Sequence, residues 1–223
     1  MDALEQWTQA QDRVIDLVAD LDTAAANRAV PACPDWTVQQ LLAHMIGLDA
    51  DVLAGDEPDD HNSDWTQRQV RERTDRSLSE LLDEWRSLRA PLVEWMQQNN
   101  TRPLGDIVIH EQDLRGALGR SGGQHTPAQA AIRDMFVQKF SDAVAQLEPI
   151  ALVGDSWTWA SRGGVDDAEV VVTATDFDLA RSLVSRRSEK QLRDWTTRGD
   201  ISPYLDSFQT LGPLPDDDLT ETF

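Results

Sequence analysis

The sequence predicts a mainly α protein, a helical bundle followed by a smaller α/β (α+β) segment, and three observations carry that expectation. Apolar residues recur at helical spacing through most of the first 147 positions. Some of those stretches open on a capping serine or threonine with glutamate or glutamine three residues later. After Glu148 the texture changes to short runs rich in β-branched and aromatic residues, set apart by glycines. The expected domains are therefore 1–147 and 148–223.

Leu4, Trp7, Val14, Val18 and Leu21 mark a first amphipathic helix, which the stretch Pro31-Ala-Cys-Pro34 closes off. Thr37 with Gln40 starts the second helix, whose inner face carries Val38, Leu41, Leu42, Met45 and Val52 and which runs out into an acidic loop over 55–64. Ser77 with Glu80 opens the third, faced by Leu78, Leu81, Trp85, Leu88, Leu92 and Trp95, and Pro91 is expected to kink it. The fourth begins after Pro103 and carries Leu104, Ile107, Leu114 and Leu118. A loop over 119–125 follows. Thr126-Pro127-Ala128-Gln129 then starts a fifth helix through Ile132, Met135, Phe136, Phe140 and Val144. Beyond the boundary, 150–153, 156–160 and 169–173 read as strands, and 177–186 and 188–195 as short helices.

Forty acidic residues against twenty basic ones give a formal charge of −20. Such a polyanion repels phosphate backbones and anionic lipid surfaces, so nucleic acid and membrane are excluded as general partners. Cys33 is the only cysteine, so no intrachain disulfide forms. The N-terminus lacks a basic region followed by an apolar run, and no stretch of about 18 apolar residues occurs, so a cytoplasmic protein is expected.

Of the four histidines, His44 and His110 fall inside expected helices. His44 sits at the edge of an apolar stripe, beside Leu41 and Leu48. His110 shares a helix face with Asp106 one turn before it and Asp113 one turn after. Side chains four apart lie about 5–6 Å from each other at Cβ, so Asp106 and His110 can reach one ion together. His44 supplies the third ligand from the facing helix. Two imidazoles and a carboxylate suit a divalent first-row ion, zinc first, and three protein ligands leave a position open for chemistry. The plainer reading is a half-buried hydrogen-bonded histidine, with Asp106 serving the helix dipole. Glu111 and Arg115 read as a surface ion pair. Cys33 reads as a packing residue, and His61 among Asp59, Asp60 and Asp64 as part of a solvated loop. Gly119-Arg-Ser121-Gly-Gly123 fits a nucleophile-elbow pattern but follows a helix, which removes the context that pattern needs.

The stretch Val30-Pro-Ala-Cys-Pro-Asp-Trp-Thr-Val-Gln-Gln-Leu-Leu-Ala-His44 resembles the second-helix signature of the mycothiol-dependent maleylpyruvate isomerase family, within the DinB-like superfamily of metal-binding four-helix bundles. Asp106-Ile-Val-Ile-His110-Glu-Gln-Asp113-Leu-Arg115 resembles the family's second metal motif. Phe177 through Arg187-Ser188, then Gln191, Trp195, Pro203-Tyr204-Leu205 and Gly212-Pro213, is similar to the tail of many members. The resemblance implies metal ligands at His44, Asp106 and His110, with Asp113 orienting His110. The family's carboxylate position is mainly glutamate, so Asp106 is a departure, shorter by one methylene.

The same resemblance implies mycothiol as thiol cofactor and a small-molecule electrophile as substrate. A divalent cation favours the thiolate, the nucleophilic form. Addition to an electron-poor alkene, rotation and expulsion of the thiol give cis–trans isomerisation, and retention of the thiol gives an S-transferase. Arg186 and Arg187 are the candidate catalytic cations for an acidic substrate, with dipole complementation the plainer reading. The competing class is a non-catalytic DinB-like protein that binds a metal or ligand. The sequence leaves the oligomeric state open.

Overall fold

A computed structural model describes residues 1–58 and 62–220. Asp59, Asp60 and His61 lie outside the described residues, so the expectation of a solvated loop at His61 falls there too. The chain divides into two compact units, Met1–Gly123 and Gln124–Thr220.

In the first unit, α1 (Ala3–Val18), α3 (Val38–Ala54), α5 (Leu78–Gln98) and α6 (Pro103–Leu118) form the bundle, closing a ring in which α1 packs on α5 and α6, and α3 on the same two. The helix starts follow from the sequence. Thr37 and Ser77 each accept the backbone N–H three residues on, and the Gln40 and Glu80 side chains return the bond to the cap. Pro103 sits at the start of α6, where its missing N–H costs nothing. Helix α5 continues through Pro91 to Gln98. The core holds Trp7, Val14, Leu41, Leu42, Ile46, Leu81, Trp85, Leu92 and Leu114, all fully buried. Each such aliphatic side chain contributes about 1.5–3 kcal/mol of burial free energy.

Helix α3 is buried without a break from Leu41 to Asp49. A helix covered on all sides is central, and here the outer cover is α4 (Ser63–Arg71), capped by Asn62 and packed along α3. Two short strands, β1 (Ala29–Val30) and β2 (Cys33–Thr37), pair antiparallel and lead directly into α3. A short helix α2 (Thr23–Ala26) precedes them.

The second unit is α+β. It contains α7 (Pro127–Ala143) and a four-stranded sheet in the order β4-β3-β5-β6, with β3 (Ile150–Val153), β4 (Thr158–Ala160), β5 (Val170–Thr173) and β6 (Thr196–Arg198). β3 and β5 run parallel, with Leu152 opposite Val172, while β4 and β6 flank them antiparallel. Helices α8 (Asp176–Ser182) and α9 (Glu189–Asp194) follow β5. α7 packs on α8 and on the 3-10 segment Ser202–Phe208, and Phe140 lies 4.5 Å from Phe208 between ring centroids. The compact unit thus begins at Gln124 and takes in α7, whereas the change of texture at residue 148 marks the passage from helix to sheet. Met135 on α7 is 45% exposed. No described helix is long and apolar enough to cross a membrane.

Candidate metal centre

Capping at Thr37 sets the register of α3 so that His44 is buried two turns into the helix. Asp106 belongs to the first turn of α6 and His110 to the second. The structure brings these three side chains together. His44 Nε2 lies 3.6 Å from Asp106 Oδ1, and His110 Nε2 lies 3.4 Å from the same oxygen. The two imidazoles meet edge to face with centroids 5.2 Å apart. One ligand atom from each residue falls within 4.8 Å of the others.

Those separations suit an ion. Zinc bonds of about 2.0–2.1 Å at tetrahedral angles place donor atoms about 3.4 Å apart. The donor set, two imidazole nitrogens and one carboxylate oxygen from two helices, is that of a first-row divalent ion in a bundle. Asp106 reaches both imidazoles with its single methylene, so glutamate's greater length is not needed here.

The outward-facing ring nitrogens are also engaged. His110 Nδ1 lies 2.9 Å from Asp113 Oδ2, and His44 Nδ1 lies 2.7 Å from Gln69 Oε1 on α4. A hydrogen bond at Nδ1 holds a ring so that the Nε2 lone pair faces the ion. Asp113 is buried and also accepts from Cys33 Sγ at 3.6 Å. Cys33 therefore belongs to β2 and the site's outer wall, and with His110 and Asp113 it makes a second group of metal-ligating type. Within that group His110 Nδ1 already hydrogen-bonds Asp113. The indole of Trp36, also on β2, lies 4.8 Å from the His44 ring between centroids.

The electrostatics follow from this packing. Burial opposes a charged His110, but the Asp106 carboxylate, the hydrogen bonds His110 donates to Asp106 and Asp113, and a hydrogen bond with Cys33 outweigh it and push His110 well above its usual range. Burial favours a neutral Asp106, yet the charge of His110 and hydrogen bonds from both imidazoles hold the carboxyl below its usual range. Asp49, on α3 beyond His44, is the reverse case. Burial, reinforced by the Asp106 charge, raises it well above the carboxylate range against the hydrogen bond from Trp85.

Glu111 and Arg115 are not a surface pair: both are buried, and Glu111 also receives Arg13 from α1 at 2.6 Å. Helix α6 is covered along its whole central stretch, which is why an i,i+4 pair there is internal. Arg186 and Arg187 lie in the second unit, both buried. Arg187 donates to Asp178 Oδ1 at 2.8 and 3.0 Å and to the Arg186 carbonyl, while Arg186 donates to the Val184 carbonyl at 3.1 Å. His125 is exposed. Sequence reasoning missed Gln69, Trp36 and Asp49. For Gln69 the available signal was Asn62 as an N-cap before Trp65 and Val70.

Residues 7–115 match the family model "Mycothiol maleylpyruvate isomerase N-terminal domain", a stretch holding His44, Asp106, His110 and Asp113. Two solved structures share the fold. A mycothiol-dependent maleylpyruvate isomerase is 15% identical, with 84% of this chain and 90% of that chain covered and a TM-score of 0.60. A histidine-to-alanine mutant of a mycothiol-dependent maleylpyruvate isomerase is 13% identical, with 88% and 91% covered and a TM-score of 0.58. No curated protein matches the chain.

Proposed function

We propose, from the match of residues 7–115 to the mycothiol maleylpyruvate isomerase N-terminal domain, that the chain is a member of that family and a metal- and mycothiol-dependent enzyme acting on a small electrophile in the cytoplasm. The observation that carries this reading is the convergence of His44 Nε2, His110 Nε2 and Asp106 Oδ1 at 3.4–3.6 Å. These three residues would hold a divalent ion, zinc by preference for this donor set. When bound, the ion supplies the positive charge that favours a thiolate at neutral pH.

The chain's own residues prepare that centre. Asp113 and Gln69 take the Nδ1–H of the two imidazoles, so that each ring, once neutral, keeps its Nε2 lone pair facing inward. Trp36 packs against the His44 ring and limits its rotation. Arg186 and Arg187 are the proposed cations for an acidic substrate. Arg187 donates to Asp178, and Arg186 to the Val184 carbonyl. The reading covers cis–trans isomerisation of an electron-poor alkene and conjugation of the thiol to it.

Metal analysis tests the centre directly. Protein purified without chelator is expected to carry about one equivalent of a divalent metal. His44→Ala and His110→Ala each lose it, and His125→Ala keeps it. Equal retention in all three, or no metal in the parent protein, overturns the assignment in favour of a non-catalytic bundle. Loss of free thiol in mixtures of mycothiol with a panel of electrophiles tests the cofactor. Turnover with another small thiol but not with mycothiol overturns that part alone.

A further inference from the structure

Gln69 is fully buried on α4, and its side-chain amide joins two groups that cannot exchange roles. Its Nε2 donates to Asp51 Oδ2 at 2.8 Å, and its Oε1 lies 2.7 Å from His44 Nδ1. A carboxylate only accepts, so the amide nitrogen faces Asp51 and the amide oxygen faces His44. That oxygen also only accepts, so His44 Nδ1 carries the proton. In the neutral ring the lone pair is then left on Nε2, the atom turned toward Asp106.

The surrounding chain keeps this amide in place. Asp51 is anchored by Arg68 at 3.3 Å, which keeps it an acceptor for Gln69. Arg73, just past the end of α4, donates to the Gln69 carbonyl at 3.2 Å and pairs with Glu84 of α5 at 2.7 Å. Gly47 supplies the room. A Cβ built there falls 2.4 Å from Gln69 Cβ and 2.8 Å from Cγ. Any side chain at position 47 displaces the stem of Gln69, three residues along α3 from the histidine it serves.

We infer that Gln69 is a positioning residue that fixes the tautomer of His44 through the chain Asp51–Gln69–His44, with Gly47 as its seat. It sets how tightly the His44–Asp106–His110 centre holds its ion. The inference rests on the proposed metal centre for its effect on affinity, but the tautomer is set in the metal-free protein as well.

Two measurements separate the two ideas. Long-range ¹⁵N–¹H correlation spectra of metal-free protein, labelled at histidine, report the His44 tautomer without any ion. The parent protein shows His44 protonated at Nδ1, and Gln69→Leu shows a mixture or the other tautomer. Zinc affinity is then read by competition with a chromogenic chelator. Gln69→Leu is expected to bind zinc about 10- to 100-fold more weakly, the usual cost of losing such an outer partner. The double variant Asp51→Asn/Gln69→Glu preserves a donor at 51 and an acceptor at 69 and restores the affinity. Asp51→Ala, at a partly exposed position, frees the amide to turn over and weakens zinc in the same direction without emptying the core. Unchanged tautomer and affinity in both Gln69→Leu and Asp51→Ala overturn the inference. A parent protein that binds no zinc but keeps the Gln69-dependent tautomer overturns the metal centre and leaves the positioning role standing.

Discussion

His110 Nδ1 and Asp113 Oδ2 lie 2.9 Å apart, and Asp113 is almost wholly shielded from solvent, so one histidine is backed by a carboxylate while its partner His44 is backed by an amide. Asp113→Ala is expected to weaken zinc binding about 10- to 100-fold without abolishing it. His110→Ala removes binding outright. Asp113→Asn keeps an accepting oxygen and should fall between the parent and the alanine variant. Competition titration with a chelator ranks the four proteins, and an Asp113→Ala variant equal to the parent contradicts the orienting role.

The metal-free protein should be most stable in mildly acidic solution. His110 is raised in the folded state, so its contribution is fully present below the unfolded value of about 6.5 and is lost as pH climbs through the folded value. Asp106 is lowered, so its contribution is present above about 3.9 and is lost as pH falls through the folded value. Thermal unfolding of chelator-treated protein across pH 4 to 9 should therefore show a decline on the alkaline side. Zinc should remove part of that decline, because the ion takes the place of the proton at His110. An identical alkaline limb in His110→Ala would assign the decline elsewhere.

Asp49, on the same helix as His44, also favours acidic solution, but here removing the ionisable group should stabilise the fold. Its carboxyl accepts from Trp85 Nε1 at 2.7 Å and is 3% exposed. Its folded pKa is raised, so folding holds a proton that the unfolded chain releases, and stability falls as pH rises from about 3.9 through the folded value. Asp49→Asn keeps an oxygen for Trp85 and cannot ionise. The variant should melt higher than the parent at pH 7.5 and no higher at pH 4. A loss of equal size at both values would mean that the carboxyl is needed for packing and not merely tolerated.

Much of this was legible from residue order, and the exceptions have physical causes. The bundle helices α1, α3, α5 and α6 carry long apolar stripes, and α3 and α5 also open on capping boxes, signals that are local to each helix. Asp106 and His110 could be paired for the same reason, since an i,i+4 pair on one helix needs no tertiary knowledge, whereas His44 on α3 was added from its place beside an apolar stripe and from the family resemblance. Helix α4 buries only Trp65, Gln69 and Val70, too few apolar residues to set a period. The β1–β2 pair has prolines at 31 and 34, which argue against a strand in the interior of a sheet but are tolerated in an isolated two-stranded ribbon. Gln69 went unread because its role exists only once α4 lies on α3. Glu111 and Arg115 were placed at the surface because spacing on a helix shows that two charges are neighbours but not what covers them.

That buried pair carries the last prediction. Glu111 Oε2 meets Arg13 Nη2 at 2.6 Å and its Oε1 meets Arg115 Nη2 at 3.0 Å, with Glu111 1% exposed and Arg115 9%. Truncating the acid leaves Arg115 inside the bundle without its carboxylate, whereas Arg13, at 25%, can turn toward water. Glu111→Ala should therefore cost about 3–5 kcal/mol, the range seen when one partner of an internal ion pair is removed. Arg13→Ala should cost less, because Glu111 then still faces Arg115. Urea unfolding of both single variants and the double variant measures the coupling between positions 13 and 111. If the three losses simply add, the Arg13 contact contributes nothing of its own and Glu111 is held by Arg115 alone.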